Sequence, residues 1–139
     1  MKLRANKSGF TLLEIIIVII IIGVLASLAL PRLFSTVEFS RSTEALASFA
    51  TIRGSLERCY LINNANYSTC NSFANLDIDD PKDSPNAHFT YEITTGAAAY
   101  TITAWRNTID GGKTTSTIKI LQTTAGITKG GGDAFSTIK

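Results

Sequence analysis

Three kinds of hydrophobic pattern follow one another along the chain. From Phe10 to Leu30 the residues are apolar almost without interruption, and Glu14 is the single charge in those 21 positions. A run of ~20 apolar residues is long enough to cross a bilayer as a helix. Ile15 to Ile22 is rich in β-branched residues, which are mediocre helix formers in water. In lipid the backbone must satisfy its own hydrogen bonds, so a spanning helix is the expected state. From Arg32 to Ile62 the pattern turns amphipathic. Leu46, Phe49, Ile52, Leu56 and Cys59 are spaced by 3, 3, 4 and 3, the helical period, and the charges Glu38, Arg41, Glu44, Arg53, Glu57 and Arg58 fall elsewhere. Arg41 has an acid three positions to either side, Glu38 and Glu44, pairs worth ~0.2–0.5 kcal/mol each. Pro31 is the one interruption, so a single helix of about 50 residues is predicted, far longer than a usual globular helix. Its second half packs an apolar stripe on a domain.

Asn63-Asn64-Ala65-Asn66 is a run of turn formers that ends this helix. A loop follows to Asn86, broken by Pro81 and Pro85. The period then becomes two. Phe89, Tyr91 and Ile93 alternate with Thr90, Glu92 and Thr94; Tyr100, Ile102 and Ala104 alternate with Thr101, Thr103 and Trp105; Ile118 and Ile120 form a third alternation. Thr95-Gly96-Ala97 and Asp110-Gly111-Gly112 supply turn signals between them. The prediction is an antiparallel sheet of three strands, with Gly126-Ile127-Thr128 as a candidate fourth, one face packed on the helix. The fold class is α+β: a long N-terminal helix on a small antiparallel head. Four segments result: a basic leader over 1–9, an apolar helix over 10–31, an amphipathic helix over 32–62, and a head over 63–139.

Composition sharpens the contrast between the halves. Charged residues make up 17% of the chain, below the roughly 25% usual in soluble domains, and the deficit lies in the apolar run. Net charge is +2, and Lys2, Arg4 and Lys7 carry three of the 13 positive charges. Without them 10 basic side chains face 11 acidic ones. The basic start reads as a signal holding the N-terminus in the cytoplasm. The rest carries no nucleic-acid motif.

Cys59 and Cys70 are the two cysteines. An even count on the exported side of a membrane favours one disulfide over two free thiols, worth ~3 kcal/mol in the chain-entropy account. A metal site is disfavoured, because His88 is the single histidine. Asp77, Asp79, Asp80 and Asp83 crowd the loop but lack the glycine and terminal glutamate of an EF-hand. Gly130-Gly131-Gly132 follows no strand–helix pattern and cradles no phosphate; it reads as flexible. No nucleophile–base pair is present. No catalytic residue, metal or cofactor is implied, and the chain does not read as an enzyme.

Glu14 remains to be explained. A secretory signal peptide cut near Ala26-Ser27-Leu28-Ala29 has no reason to carry a carboxylate in its apolar core, and neither has a plain anchor. An intramembrane charge needs a partner. A cut between Gly9 and Phe10 creates one, since the new α-amino group stands one helical turn from Glu14. In a packed array of helices that amine and the Glu14 of a neighbour can pair, and in low dielectric the pair penalises misregister.

Lys7-Ser8-Gly9-Phe10-Thr11-Leu12-Leu13-Glu14 resembles the processing motif of type IV prepilins, and the likeness extends through the apolar run to Pro31. The resemblance implies cleavage after Gly9 by prepilin peptidase, N-methylation of Phe10, and Glu14 as an assembly determinant. It implies Gly23 and Pro31 as weak points of the helix, which agrees with the helix cost of glycine and the missing donor of proline. The implied partners are further pilin subunits in a homo-oligomeric filament, the inner-membrane assembly machinery and, before assembly, the membrane itself. The implied locations are the inner membrane and then an extracellular pilus, with adhesion, motility or DNA uptake as function, or a periplasmic pseudopilus of type II secretion. Members of the family often carry a disulfide near the C-terminus; here the cysteines lie at the helix end and the tail is glycine-rich. A monomeric membrane-anchored binding protein is the competing class, and it has no use for Glu14 or a cut at Gly9.

Overall fold

A computed structural model describes residues 9–138; the leader residues Lys2, Arg4 and Lys7 lie outside the described residues. One helix, α1, runs from Leu12 to Ile62 without a break at Gly23 or Pro31. The chain divides into two units, 1–36 and 37–139. In the first, the described residues are helical from Leu12, and its large apolar side chains, from Phe10 and Leu12 to Leu33 and Phe34, are exposed. Apolar residues on every side of a helix require lipid or other helices as cover.

The second unit is the head. α1 ends where Asn64 and Ala65 take left-handed backbone conformations, and the Ala65 N–H donates to the Tyr60 carbonyl at 3.0 Å, satisfying one open carbonyl of the last turn. The Cys59–Cys70 disulfide, present in the structure, ties this end to the following loop. Four strands follow: β1 (Phe89–Thr95), β2 (Tyr100–Arg106), β3 (Thr117–Thr123) and β4 (Gly126–Gly132). They pair in sequence order as one antiparallel sheet. The turn after β2 uses positive φ at Asp110 and Gly111, as the Asp-Gly signal predicts.

The alternating residues face inward as expected. Phe89, Tyr91, Ile93, Tyr100, Ile102, Ala104, Ile118 and Ile120 are buried together with Ala45, Phe49, Ile52, Leu56 and Cys59 of α1. Each large aliphatic or aromatic side chain removed from water in this way contributes about 1.5–3 kcal/mol. Phe49 meets Tyr91 edge-on at 6.1 Å between ring centroids.

One expectation fails. The Gly-rich tail is not a flexible segment: Gly130 to Gly132 complete β4, paired with Lys119 to Thr117. The chain then turns back so that Phe135, fully buried, packs on Phe89 with centroids 5.8 Å apart. A Cβ on Gly131 would stand 1.9 Å from the Phe135 carbonyl oxygen. The glycine therefore serves close approach of two backbones.

Candidate assembly site

The N-terminal turn of α1 holds the predicted assembly residues. Phe10 is exposed and precedes the helix. Thr11 caps it: the Thr11 hydroxyl accepts the Glu14 backbone N–H at 3.2 Å, and the Thr11 carbonyl accepts the first helical bond, from Ile15, at 3.3 Å. Thr11 is thus the N-cap and Glu14 the third helical residue, the spacing of a capping box. The sequence reading missed this, although Thr-x-x-Glu was its signal. Glu14 also lies at the positive end of the helix dipole, where a carboxylate is worth about 0.3–1 kcal/mol. So Glu14 has a local role at the helix start, independent of the expected pairing with a neighbour's amine. Gly9 adjoins Phe10 in an exposed, non-helical stretch, and Ser27 has no i+4 donor, because Pro31 lacks an N–H.

The head presents a polar network that the sequence did not reveal. Arg106 is fully buried. Its Nε donates to Glu38 at 3.1 Å, and its Nη1 donates to the carbonyls of His88 and Asn107 at 3.2 and 3.1 Å. A buried charge needs this level of satisfaction. Arg41 pairs with Glu38 at 2.9 Å as expected. Its second expected partner, Glu44, turns instead to His88, and Arg41 reaches Asp110 at 3.4 Å.

At the other end of the head, Arg58 grips Asp77 with two bonds of 2.6 and 2.8 Å, and Ser55 donates to the same carboxylate. The Arg58 guanidinium, aided by Ser55, holds Asp77 well below the usual carboxylate range. Tyr67 and Tyr100 share Glu57, and burial raises both phenols. Burial pushes Tyr91 up to about 12. Among the described residues no cluster has the makeup of a metal site, and Asp79 and Asp83 of the acidic loop are exposed. Three exposed lysines, Lys113, Lys119 and Lys129, have no carboxylate partner among the described residues, unlike Arg41, Arg58, Lys82 and Arg106. They lie on the β2–β3 connection, β3 and β4. Trp105, half-buried, stands on the outer sheet face between Thr90 and Thr117.

The apolar helix with its capped, acidic start corresponds to a known motif. The profile of the prokaryotic N-terminal methylation motif matches residues 4–30. The profile described as type IV minor pilin ComP, DNA uptake sequence receptor, matches residues 31–117, from the middle of α1 to the start of β3. The chain belongs to this family of type IV pilin-like proteins. Its architecture, one long helix on a four-stranded antiparallel sheet, is that of a pilin.

Curated relatives carry the name type II secretion system core protein G. The one from Escherichia coli K12 is 39% identical over 71 residues, covering 51% of this pilin-like chain and 48% of the relative. That of Klebsiella pneumoniae is 35% identical over 82 residues, covering 59% and 58%, and that of Pseudomonas aeruginosa 38% over 66 residues, covering 48% and 46%. The chain thus spans about half the length of the curated relatives it matches. No solved structure matches it. Pilus subunit and pseudopilin both fit these findings, and both are structural subunits.

Proposed function

We propose that the chain is a filament subunit of the type IV pilus kind. It is cut between Gly9 and Phe10 by prepilin peptidase, N-methylated on Phe10, held in the inner membrane by residues 10–31 and polymerised through that segment. Residues 1–9 are the leader, 32–62 the supporting half of the helix and 63–139 the rest of the head. The observation that carries this reading is an all-round apolar helix whose one carboxylate, Glu14, stands a turn from the bond whose cleavage frees an amine. Before assembly lipid covers the helix; afterwards other helices do, and the neighbour's amine neutralises Glu14. Gly23 and Pro31 are where the helix gives way most readily if packing in the filament demands it.

The cap on Thr11 makes a single Glu14 variant ambiguous, so the test uses three, expressed with the assembly machinery. Glu14→Gln keeps a capping partner but removes the charge, Glu14→Ala removes both, and Thr11→Ala removes the cap alone. Sheared filaments are measured by mass and N-terminal sequence. The expected outcome is N-methyl-Phe10 in wild-type filaments, loss of filaments in both Glu14 variants and their retention in Thr11→Ala. Filaments from Glu14→Gln would show that the charge is not what assembly reads. An uncut chain confined to the membrane would favour the anchored binding protein.

A second, finer reading is a minor pilin that meets DNA. It is supported by the description of the matching family and by three exposed lysines, Lys113 on the β2–β3 connection, Lys119 on β3 and Lys129 on β4. Its test is salt-dependent binding of duplex DNA, weakened when Lys113, Lys119 and Lys129 become glutamate. The pseudopilin reading rests on the core protein G relatives and predicts a periplasmic rather than a surface filament.

A further inference from the structure

His88 is the chain's single histidine, and carboxylates hold it on two sides. Its Nδ1 lies 2.8 Å from one oxygen of Glu44. The other oxygen of that carboxylate accepts the His88 backbone N–H at 2.9 Å. This two-point clamp places the first ring proton on Nδ1. The second ring nitrogen, Nε2, lies 3.2 Å from Asp110 Oδ2. A neutral imidazole has one N–H, an imidazolium two. Both contacts are therefore hydrogen bonds only in the charged ring. In the neutral ring clamped by Glu44, the Nε2 lone pair faces a carboxylate oxygen and the contact is repulsive.

The surrounding charges do not substitute for that proton. On α1, Glu38 and Arg41 pair with each other at 2.9 Å, and Arg41 reaches Asp110 only at 3.4 Å. On β2, Arg106 is committed to Glu38 and donates to the His88 carbonyl. The loop before β1 lines the groove beside His88 with Pro81, Ser84, Pro85, Asn86 and Ala87, none of which titrates. Asp110 is thus held to the body of the head by the His88 proton and one long arginine contact. It also sits at φ 54° in the turn Ile109–Gly111, a left-handed conformation that surrounding contacts help to maintain.

We propose that His88 is a proton-operated latch on the β2–β3 connection. The imidazolium bridges Glu44 and Asp110 and closes the turn. Loss of the proton releases Asp110 while the Glu44 clamp stays. The latch is closed while the ring holds both protons and opens when the second is lost, so rising pH opens it. The surface that the head presents around Ile109, Asp110 and Lys113 then depends on the pH outside the membrane.

Hydrogen exchange of the full chain in detergent micelles tests this. The amides to follow are those of Gly112, bonded to the Ile109 carbonyl at 3.2 Å, and Ser116, bonded to that of Lys113 at 2.9 Å. Their protection is taken relative to β2 amides after correction for the intrinsic rate. Between about pH 5 and about pH 8 it should fall about three- to fivefold in the wild type, the worth of one partly exposed ion pair. In Asp110→Asn, where asparagine tolerates the same backbone, and in His88→Gln, the ratio should stay flat. Equal wild-type protection at both pH values would overturn the latch, and so would a wild-type-like drop in Asp110→Asn. Should His88→Gln fail to fold, Asp110→Asn decides alone.

Discussion

Gly130 and Gly131 are neighbours on β4, yet alanine should have opposite effects at the two. Successive strand residues face opposite sides. Gly130 pairs with Lys119 on the outer face, and Gly131 with Ile118 on the inner face. A Cβ on Gly130 would meet nothing within 4 Å. A Cβ on Gly131 would lie 1.9 Å from the Phe135 carbonyl oxygen and 2.6 Å from its carbon. Neither glycine occupies the left-handed region, so alanine suffers no backbone penalty and the comparison is steric. Real Cβ contacts stay above 3.0 Å; the Phe135 backbone must therefore retreat by about 1.1 Å, the difference of the two distances. That shift moves a fully buried ring off Phe89 and breaks the 3.0 Å bond from the Ile138 N–H to the Phe135 carbonyl. Overpacking costs about 1–3 kcal/mol and the lost bond about 0.5–1.5. The total, about 1.5–4.5 kcal/mol, is comparable at its upper end to removing a buried phenylalanine, ~3–5. For a domain of this size it lowers Tm by on the order of 10–30 °C. Gly130→Ala instead restricts the unfolded chain and gains about 0.4–1 kcal/mol, a rise of a few degrees. Near-UV circular dichroism of the full chain in micelles is the suitable assay, because Trp105 and the four tyrosines lie in the head and the apolar helix is silent there. A Gly131→Ala melt within 2 °C of wild type, or equal losses at both positions, would refute the steric account.

Two further predictions concern ionisable groups. The Tyr91 hydroxyl is buried without a hydrogen bond of good geometry, although Ser48 stands beside it, so Tyr91→Phe should raise Tm at neutral pH by the equivalent of up to about 1 kcal/mol. Burial pushes this phenol up to about 12, against ~10 unfolded. Its stability contribution is thus intact below pH ~10 and fades between there and about 12, because the unfolded chain releases the proton first. Alkaline melts should show a shallower loss in Tyr91→Phe; an unchanged slope would mean that Tyr91 does not set it. Asp77 titrates below the usual carboxylate range because Arg58 and then Ser55 stabilise its charged form. Its contribution is present above the unfolded value of ~3.9 and is lost as pH falls below it. Asp77→Asn should flatten the acid limb of a Tm-versus-pH curve, and an unaltered limb would sink this assignment.

The parts of this molecule that were legible in its sequence are those whose partners are local. The stripe from Leu46 to Cys59 and the alternation from Phe89 to Ile120 each encode a face within a few residues, and both faces are buried save that Leu46 is half-buried and Ala45 takes the core position. The proposed cut site and Glu14 lie within six consecutive residues, which is why an assembly chemistry was legible there, while the cap on Thr11 was overlooked. Arg106 marks the limit. It continues the inward alternation of Tyr100, Ile102 and Ala104, where an arginine looks like the end of a strand. What makes it tolerable is Glu38, 68 positions earlier. No pattern in the sequence links the two. His88 is similar: its partners stand 44 and 22 positions away. As a lone histidine it suggested nothing.

The same distinction separates assembly from specificity. The N-terminal interaction proposed for Glu14 is written in contiguous residues, so changes in the head leave it intact. What the head presents to the outside is set by long-range pairs: Glu38 with Arg106, Glu44 with His88, Arg41 with Asp110, and Asp133 with Thr115 at 2.7 Å. These pairs anchor the β2–β3 connection and the C-terminal turn, which also neighbour Lys113. A change in any one of them reshapes that surface and leaves the helix untouched. Variation in function among such chains should therefore concentrate in these connections, and exchange of residues 107–116 between relatives should transfer binding preferences without impairing polymerisation.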